Sequence, residues 1–293
     1  MDNFMNLHPE ECDQFYRIWF SLLGYTNKRE GLISNFPKTP LIGSIKQQDA
    51  GIIRNAIWSS DYLLSSFVSD NPDNLSIDDI RMASSWEGRI NSRFMIIKHL
   101  KQHSIFMDVS ENGKVYGVKG IISPISAILP FPLPIMVDAV LLPFGDKIII
   151  DSLLIPHNVI FGQGIVNDIK VQFRRLEESQ GIIINLNDND PSPAIIKGNK
   201  KILSEFQKWL GRQSLSLKMQ HEHFSNIEIL VRDILNVAPV QSLSQLSAES
   251  VSRYLLLSSK TNKVSVKRLV KFLMDTDRLD FDELSSIENV LKK

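Results

Sequence analysis

Three acids and a histidine fall in the most apolar part of the chain. Asp138, Asp151 and His157 lie in or just after two runs rich in Ile, Val and Leu, with Asp146 at the turn between them. Carboxylates and imidazoles near strand ends can hold a divalent cation or act as acid and base. Asp168-Ile169-Lys170 adds an acid-x-lysine pair of the kind that holds a metal and a phosphate. A metal-dependent nuclease using Asp138, Asp151 and His157 is therefore one reading. The Asp168 pair would need a strand, however, and a helix is expected there. Turns and solvated surfaces use the same acids, and the sequence favours that plainer reading, with no metal site.

Spacing disposes of the other candidates. His221 and His223 are two apart, so on a helix their rings point about 200° apart and cannot share one ion; they are expected exposed, at a helix start. His99 and His103 are four apart, but no third ligand accompanies them. Gly162-Gln163-Gly164 has the start of a phosphate-cradling turn and lacks its third glycine. No Gly-x-Ser-x-Gly elbow marks a nucleophilic serine. Cys12 is the only cysteine, which excludes an intrachain disulfide and a zinc cage, and it is expected as a small residue of an amphipathic helix. No cofactor is implied.

The basic residues offer more. Lys260, Lys263, Lys267, Arg268 and Lys271 fall in a stretch of twelve residues without an acid. On a helix the four-residue spacing puts Lys263, Lys267 and Lys271 on one face, about 6 Å apart, which suits phosphate contact. A merely solvated helix face is the alternative. The chain as a whole is neutral, with 33 basic and 33 acidic residues, but residues 197–293 carry 16 basic against 11 acidic, a net +5. A polyanion would bind at that end.

These residues need elements to hold them. Pro9-Glu10-Glu11 suits the first turn of a helix, and Phe15, Ile18, Trp19, Leu22 and Leu23 continue it at helical spacing to about Tyr25. Residues 26–45 read as loop, and short helices are expected at 46–58 and 61–69. Ser76-Ile77-Asp78-Asp79 has capping-box character. Ile80, Ala83, Ile90, Phe94 and Ile97 extend that helix to about Leu100. Strands are expected at 105–109 and 115–118 around a Glu111-Asn112-Gly113 turn, and at 135–144 and 147–155 around Gly145-Asp146. Residues 157–161 extend the sheet, a helix occupies 163–179, and 181–186 make a last strand. Residues 187–193 are all turn formers, and everything after them reads as helix. The longest apolar run, 121–142, is broken by four prolines and Asp138, so no membrane span is expected. With one cysteine and no signal-like start, a cytoplasmic protein is expected.

From His223 onward the helices carry a resemblance. A helix starting at His223-Phe224, the Leu243-Ser244-Gln245-Leu246-Ser247 step before Glu249-Ser250-Val251, Arg253-Tyr254-Leu255, and the run from Lys267 to Leu273 together resemble the SAM-like core-binding domain of phage-integrase-type tyrosine recombinases. The resemblance covers about 70 residues and implies a module that clamps DNA. The recombinase catalytic domain would follow and the chain ends instead, so no recombination is expected. Residues 1–186 resemble an uncharacterised bacterial family through Ala139-Val140-Leu141-Leu142-Pro143-Phe144 and Asp146-Lys147-Ile148-Ile149.

The expectation is an α+β protein. An α+β domain over 1–186 packs N-terminal helices with a small, mainly antiparallel sheet. A linker at 187–198 and an all-α bundle at 199–293 follow. The expected role is non-enzymatic: a nucleic-acid-associated or adaptor protein of mobile elements or phage defence, with DNA or RNA as partner. The alternatives are the nuclease and a protein-interaction module that binds no nucleic acid.

Overall fold

The computed structural model describes the chain apart from residues 1–4, 38, 39, 41, 111, 112, 189, 257–259, 280 and 293 and the side chains of 260, 261 and 281. The protein is α+β. It divides into two compact units, Met1–Phe161 with Ile183–Asn189, and Gly162–Ile182 with Asp190–Lys293. Among the described residues no helix is long and apolar enough to cross a membrane.

The first unit starts with four helices, α1 (Pro9–Glu30), α2 (Gln47–Ser59), α3 (Leu63–Asp70) and α4 (Ile77–Ser85). Five strands follow: β1 (Ile90–His99), β2 (Ser104–Asp108), β3 (Val115–Lys119), β4 (Ile135–Phe144) and β5 (Lys147–Pro156), with a single-turn helix α5 (Ile125–Ile128) between β3 and β4. They close into a barrel in the order β1-β2-β3-β5-β4. All neighbours are antiparallel except β3 and β5. This is the five-stranded Greek-key plan on which OB-type barrels are built. Phe94, Phe106 and Tyr116 meet edge-to-face inside it, at 5.8 and 6.1 Å from the Phe94 ring. The helices bury an aromatic stack of their own: Trp19 lies 6.0 Å from Phe15 and 5.8 Å from Trp58.

Several expected elements differ. Residues 90–99 are a strand, not the end of a helix. Ile90, Phe94 and Ile97 fit helical spacing, but β1 pairs with β4 from Ile90 to Ile96, and Phe94 and Ile96 share one fully buried face in alternation with Met95. A bulge between Ile96 and Lys98 displaces Ile97 from that alternation. Helix α1 runs five residues past Tyr25, stopping at Gly31 with φ 64°. Asn27 supports this end by bonding both the N–H and the carbonyl of Ile33, at 2.7 and 2.9 Å. The expected extension at 157–161 amounts to one ladder bond, from His157 N–H to the Met136 carbonyl at 2.9 Å. The expected strand at 181–186 is a single bridge between Ile183 and Tyr116. The Glu111-Asn112 part of the expected turn lies outside the described residues.

The second unit is all helix: α6 (Gln163–Gln180), α7 (Ser192–Gly211), α8 (Leu217–Leu230) with a π turn at Val231–Leu235, α9 (Ala248–Leu256), α10 (Lys260–Asp275) and α11 (Phe281–Lys292). Phe206, Trp209 and Phe272 form its aromatic centre, with Phe272 5.4 Å from Phe206. The chain therefore divides elsewhere than expected. Half of the expected 187–198 linker is the start of α7, where Pro193 suits a first turn. Helix α6 belongs to the second unit. Its Glu178 receives both arms of Arg278 at 2.8 Å, and Arg278 also reaches Glu205 at 2.6 Å. Both Arg278 and Glu178 side chains are only 2% exposed. Arg174 and Arg175 bond the carbonyls of Thr276 and Asp277 at 2.7 and 2.9 Å. After α6 the chain turns at Gly181, where φ is 75° and an added Cβ would lie 2.2 Å from that of Ala194.

A fragment beginning at Gly162 should therefore unfold cooperatively in urea. A fragment beginning at residue 187 strips Glu178 from a buried arginine and should be weaker by about 3 kcal/mol. Equal midpoints for the two would show that α6 is dispensable.

Candidate functional site

The acids singled out in the barrel do not converge. Asp151 is fully buried on β5. Opposite Val140 the register jumps from Leu141–Ile150 to Ala139–Leu154, so Asp151, Ser152 and Leu153 bulge out of the ladder. Ser152 takes φ 83° to make the bend. The bulge aims Asp151 at α2. Arg54 donates to it at 2.5 and 3.1 Å, Trp58 Nε1 at 2.5 Å, and the Leu153 N–H at 3.4 Å. Burial pushes the Asp151 carboxyl above the usual carboxylate range, and Arg54 opposes this. An acid so enclosed holds α2 to the barrel and has no face left for substrate.

Asp138 and His157 do come together, on the outside of the barrel. His157 Nε2 lies 2.9 Å from Asp138 Oδ2, and Arg93 Nε donates to Asp138 Oδ1 at 2.8 Å. Arg93 holds the Asp138 carboxyl below the usual range. Asp146 is exposed at the β4–β5 turn, 3.3 Å from Lys147. Asp168 and Lys170 are both exposed on α6, where two-residue spacing sends them to different sides. No group of three or more His, Cys, Asp or Glu side chains able to hold a metal occurs among the described residues.

His223 corrects an expectation. It is buried in the middle of α8, not exposed at a helix start. Arg268 Nε donates to its Nε2 at 3.0 Å, which leaves the proton on Nδ1, 2.9 Å from Ser265 Oγ. Asn226 donates to the same hydroxyl at 3.0 Å. The serine therefore receives a hydrogen bond from the imidazole and is not activated by it. His99 and His103 lie at the β1–β2 turn rather than on a helix; His99 Nδ1 is 2.8 Å from Ser104 Oγ. Cys12 Sγ donates to the Ile121 carbonyl at 3.2 Å.

A groove of about 1130 Å³ in the first unit runs along α1 past Arg17, Tyr25 and Asp73. Three of its polar groups are paired within the unit: Arg17 with Asp79 at 2.9 Å, Ser21 with Asp73 at 2.5 Å, Tyr25 with Asp70 at 2.6 Å. Sequence reading passed over it because its charges lie far apart along the chain.

The lysine row fares differently. Residues 260–275 are helical, with Val266, Leu269, Val270 and Leu273 buried. Lys267 and Lys271 are exposed and Lys263 is half-buried; no described carboxylate pairs with any of the three. Arg268 is turned into the unit by His223, and the Lys260 side chain lies outside the described set. Lys267 and Lys271 line a groove of about 460 Å³ between α10 and α11. Of the residues weighed for chemistry, Lys267 and Lys271 combine exposure and a common face with the lack of a carboxylate partner among the described residues. No family model, curated protein or solved structure matches the chain.

Two outcomes are expected. Replacing Asp151 with alanine leaves Arg54 charged and buried and should cost about 3–5 kcal/mol in a urea melt; a change below 1 kcal/mol would show that the pair is not holding α2. The second concerns pH. Burial, helped by Arg268, lowers the His223 pKa from its ordinary value, so the folded state resists its protonation. Its stabilising contribution is present above the unfolded-state pKa near 6.5 and is lost as pH falls below it. His223→Gln should flatten the fall in melting temperature between about pH 7.5 and 5.5. Parallel pH profiles for the two proteins would refute the assignment.

Proposed function

We propose that this protein binds nucleic acid through the face of α10 that carries Lys263, Lys267 and Lys271, without catalysing a reaction. One observation carries the reading: three lysines on one helical face, with no carboxylate partner among the described residues. A surface lysine of a neutral protein commonly finds an acid within reach. A row that does not keeps its charge available to an external polyanion. The surplus of five basic residues over 197–293 supports the same reading. So does the barrel plan, which OB-type oligonucleotide binders share, although a fold by itself assigns no function. The proposed role is that of an adaptor, with DNA or RNA as partner. The nuclease reading has less support, because Asp151 is committed to Arg54 and Trp58 while Asp138 is committed to Arg93.

Three phosphate contacts predict a log–log salt slope of roughly −3 on duplex DNA. Changing Lys263, Lys267 and Lys271 together to glutamate should abolish binding of a fluorescent nucleic acid. The urea midpoint should stay nearly fixed, since exposed charges contribute little to stability. Binding by the triple variant equal to wild type, or no binding by wild type at low salt, would end this reading.

A further inference from the structure

Lys267 and Lys271 do not stand on a flat surface. They form one rim of the groove between α10 and α11, and Lys292 of α11 also lines it. The floor is apolar: Val270, Met274, Leu284 and Leu291. Met274 is 37% exposed, an unbranched and polarizable side chain presented to solvent. Glu288 is the only carboxylate among the described residues that line the groove. Three cations against one anion make it electropositive, and its volume is about 460 Å³.

We infer that the nucleic acid this groove takes is a single strand, whose phosphates meet the lysines while its unpaired bases enter the apolar floor. The inference rests on the nucleic-acid reading of the lysine row and names its substrate class. A duplex shows phosphate and sugar on its outside and keeps its bases stacked within. It can neutralise Lys267 and Lys271, but it has nothing apolar to place between α10 and α11. A single strand offers charged backbone and apolar base faces side by side, the combination that single-strand binders meet with a cationic groove and a stacking surface. The floor holds no described aromatic ring, so the base contact falls to the Met274 thioether, which packs favourably against aromatic faces, and to Leu284 beside it. An acidic polypeptide helix could satisfy the charges equally, but its carboxylates have nothing to place on the apolar floor.

The test uses the full chain and three probes at one salt concentration. These are a fluorescent oligothymidylate of about twelve nucleotides, a duplex of equal length, and polyglutamate as competitor. The single strand should bind roughly tenfold more tightly than the duplex, and Met274→Gln should remove about that factor while leaving duplex affinity unchanged. Met274→Trp, which adds an aromatic face at an exposed position, should tighten single-strand binding. Duplex binding as tight as single-strand binding, or indifference of the single strand to both substitutions, overturns the inference and leaves the lysine row standing. Displacement of the single strand by polyglutamate as efficient as by unlabelled oligothymidylate also overturns it, in favour of an acidic protein partner. Failure of both nucleic acids to bind removes the lysine reading itself.

Discussion

A guanidinium withdrawn from water must find carboxylates, and the second unit is arranged around one that has. Arg278 sits in the turn between α10 and α11, pinned to Glu178 of α6 and Glu205 of α7, with its guanidinium 5.6 Å from the Phe272 ring centre. Removing one partner of such a pair is costly because the charge left behind stays buried. That single requirement ties three helices to one corner. It assigns α6 to the helical unit and fixes the turn from which α10 and α11 diverge. The groove with its lysine rim is a consequence of that divergence.

The barrel solves a similar problem with the signs exchanged. There the buried charge is the carboxylate of Asp151, and Arg54 and Trp58 come to it from α2. The arrangement needs a β-bulge and a serine held at positive φ. Backbone strain of that kind persists where the surroundings over-determine it, and two donors closing on one carboxylate do so. Asp151 is fully buried and bonded to donors of its own unit, so it is not available to a substrate. Burial with full hydrogen bonding converts a reactive group into a fastener.

The lysines of α10 illustrate the converse. No described carboxylate pairs with them, and Lys267 and Lys271 stay accessible. Their significance comes from the company they keep. Val266, Leu269 and Leu273 anchor the opposite face of α10 in the core, and Val270 and Met274 turn a polar stripe into the wall of a groove. A charged face alone would attract any polyanion; an apolar floor beside it distinguishes one polyanion from another.

Much of this could be read before any coordinates. The α+β class, the helix opened by Pro9, the β4–β5 hairpin around Gly145-Asp146, the helical C-terminal stretch and the α10 lysine face all follow from local pattern, because turn residues and apolar periodicity act over a few positions. Three things did not follow. Residues 90–99 carry apolar side chains at both helical and strand spacing, and pairing with β2 on one side and with β4, 39 to 51 positions away, on the other decides for strand. His223 looked exposed because its partners Ser265 and Arg268 lie some forty positions on. Asp151 looked like a candidate acid because Arg54 is 97 positions distant. The sequence by itself determined the local elements and the charge carried on each. Tertiary structure decided which charges would be buried and neutralised and which left free, because desolvation depends on what the chain brings near in space, and no local spacing records that.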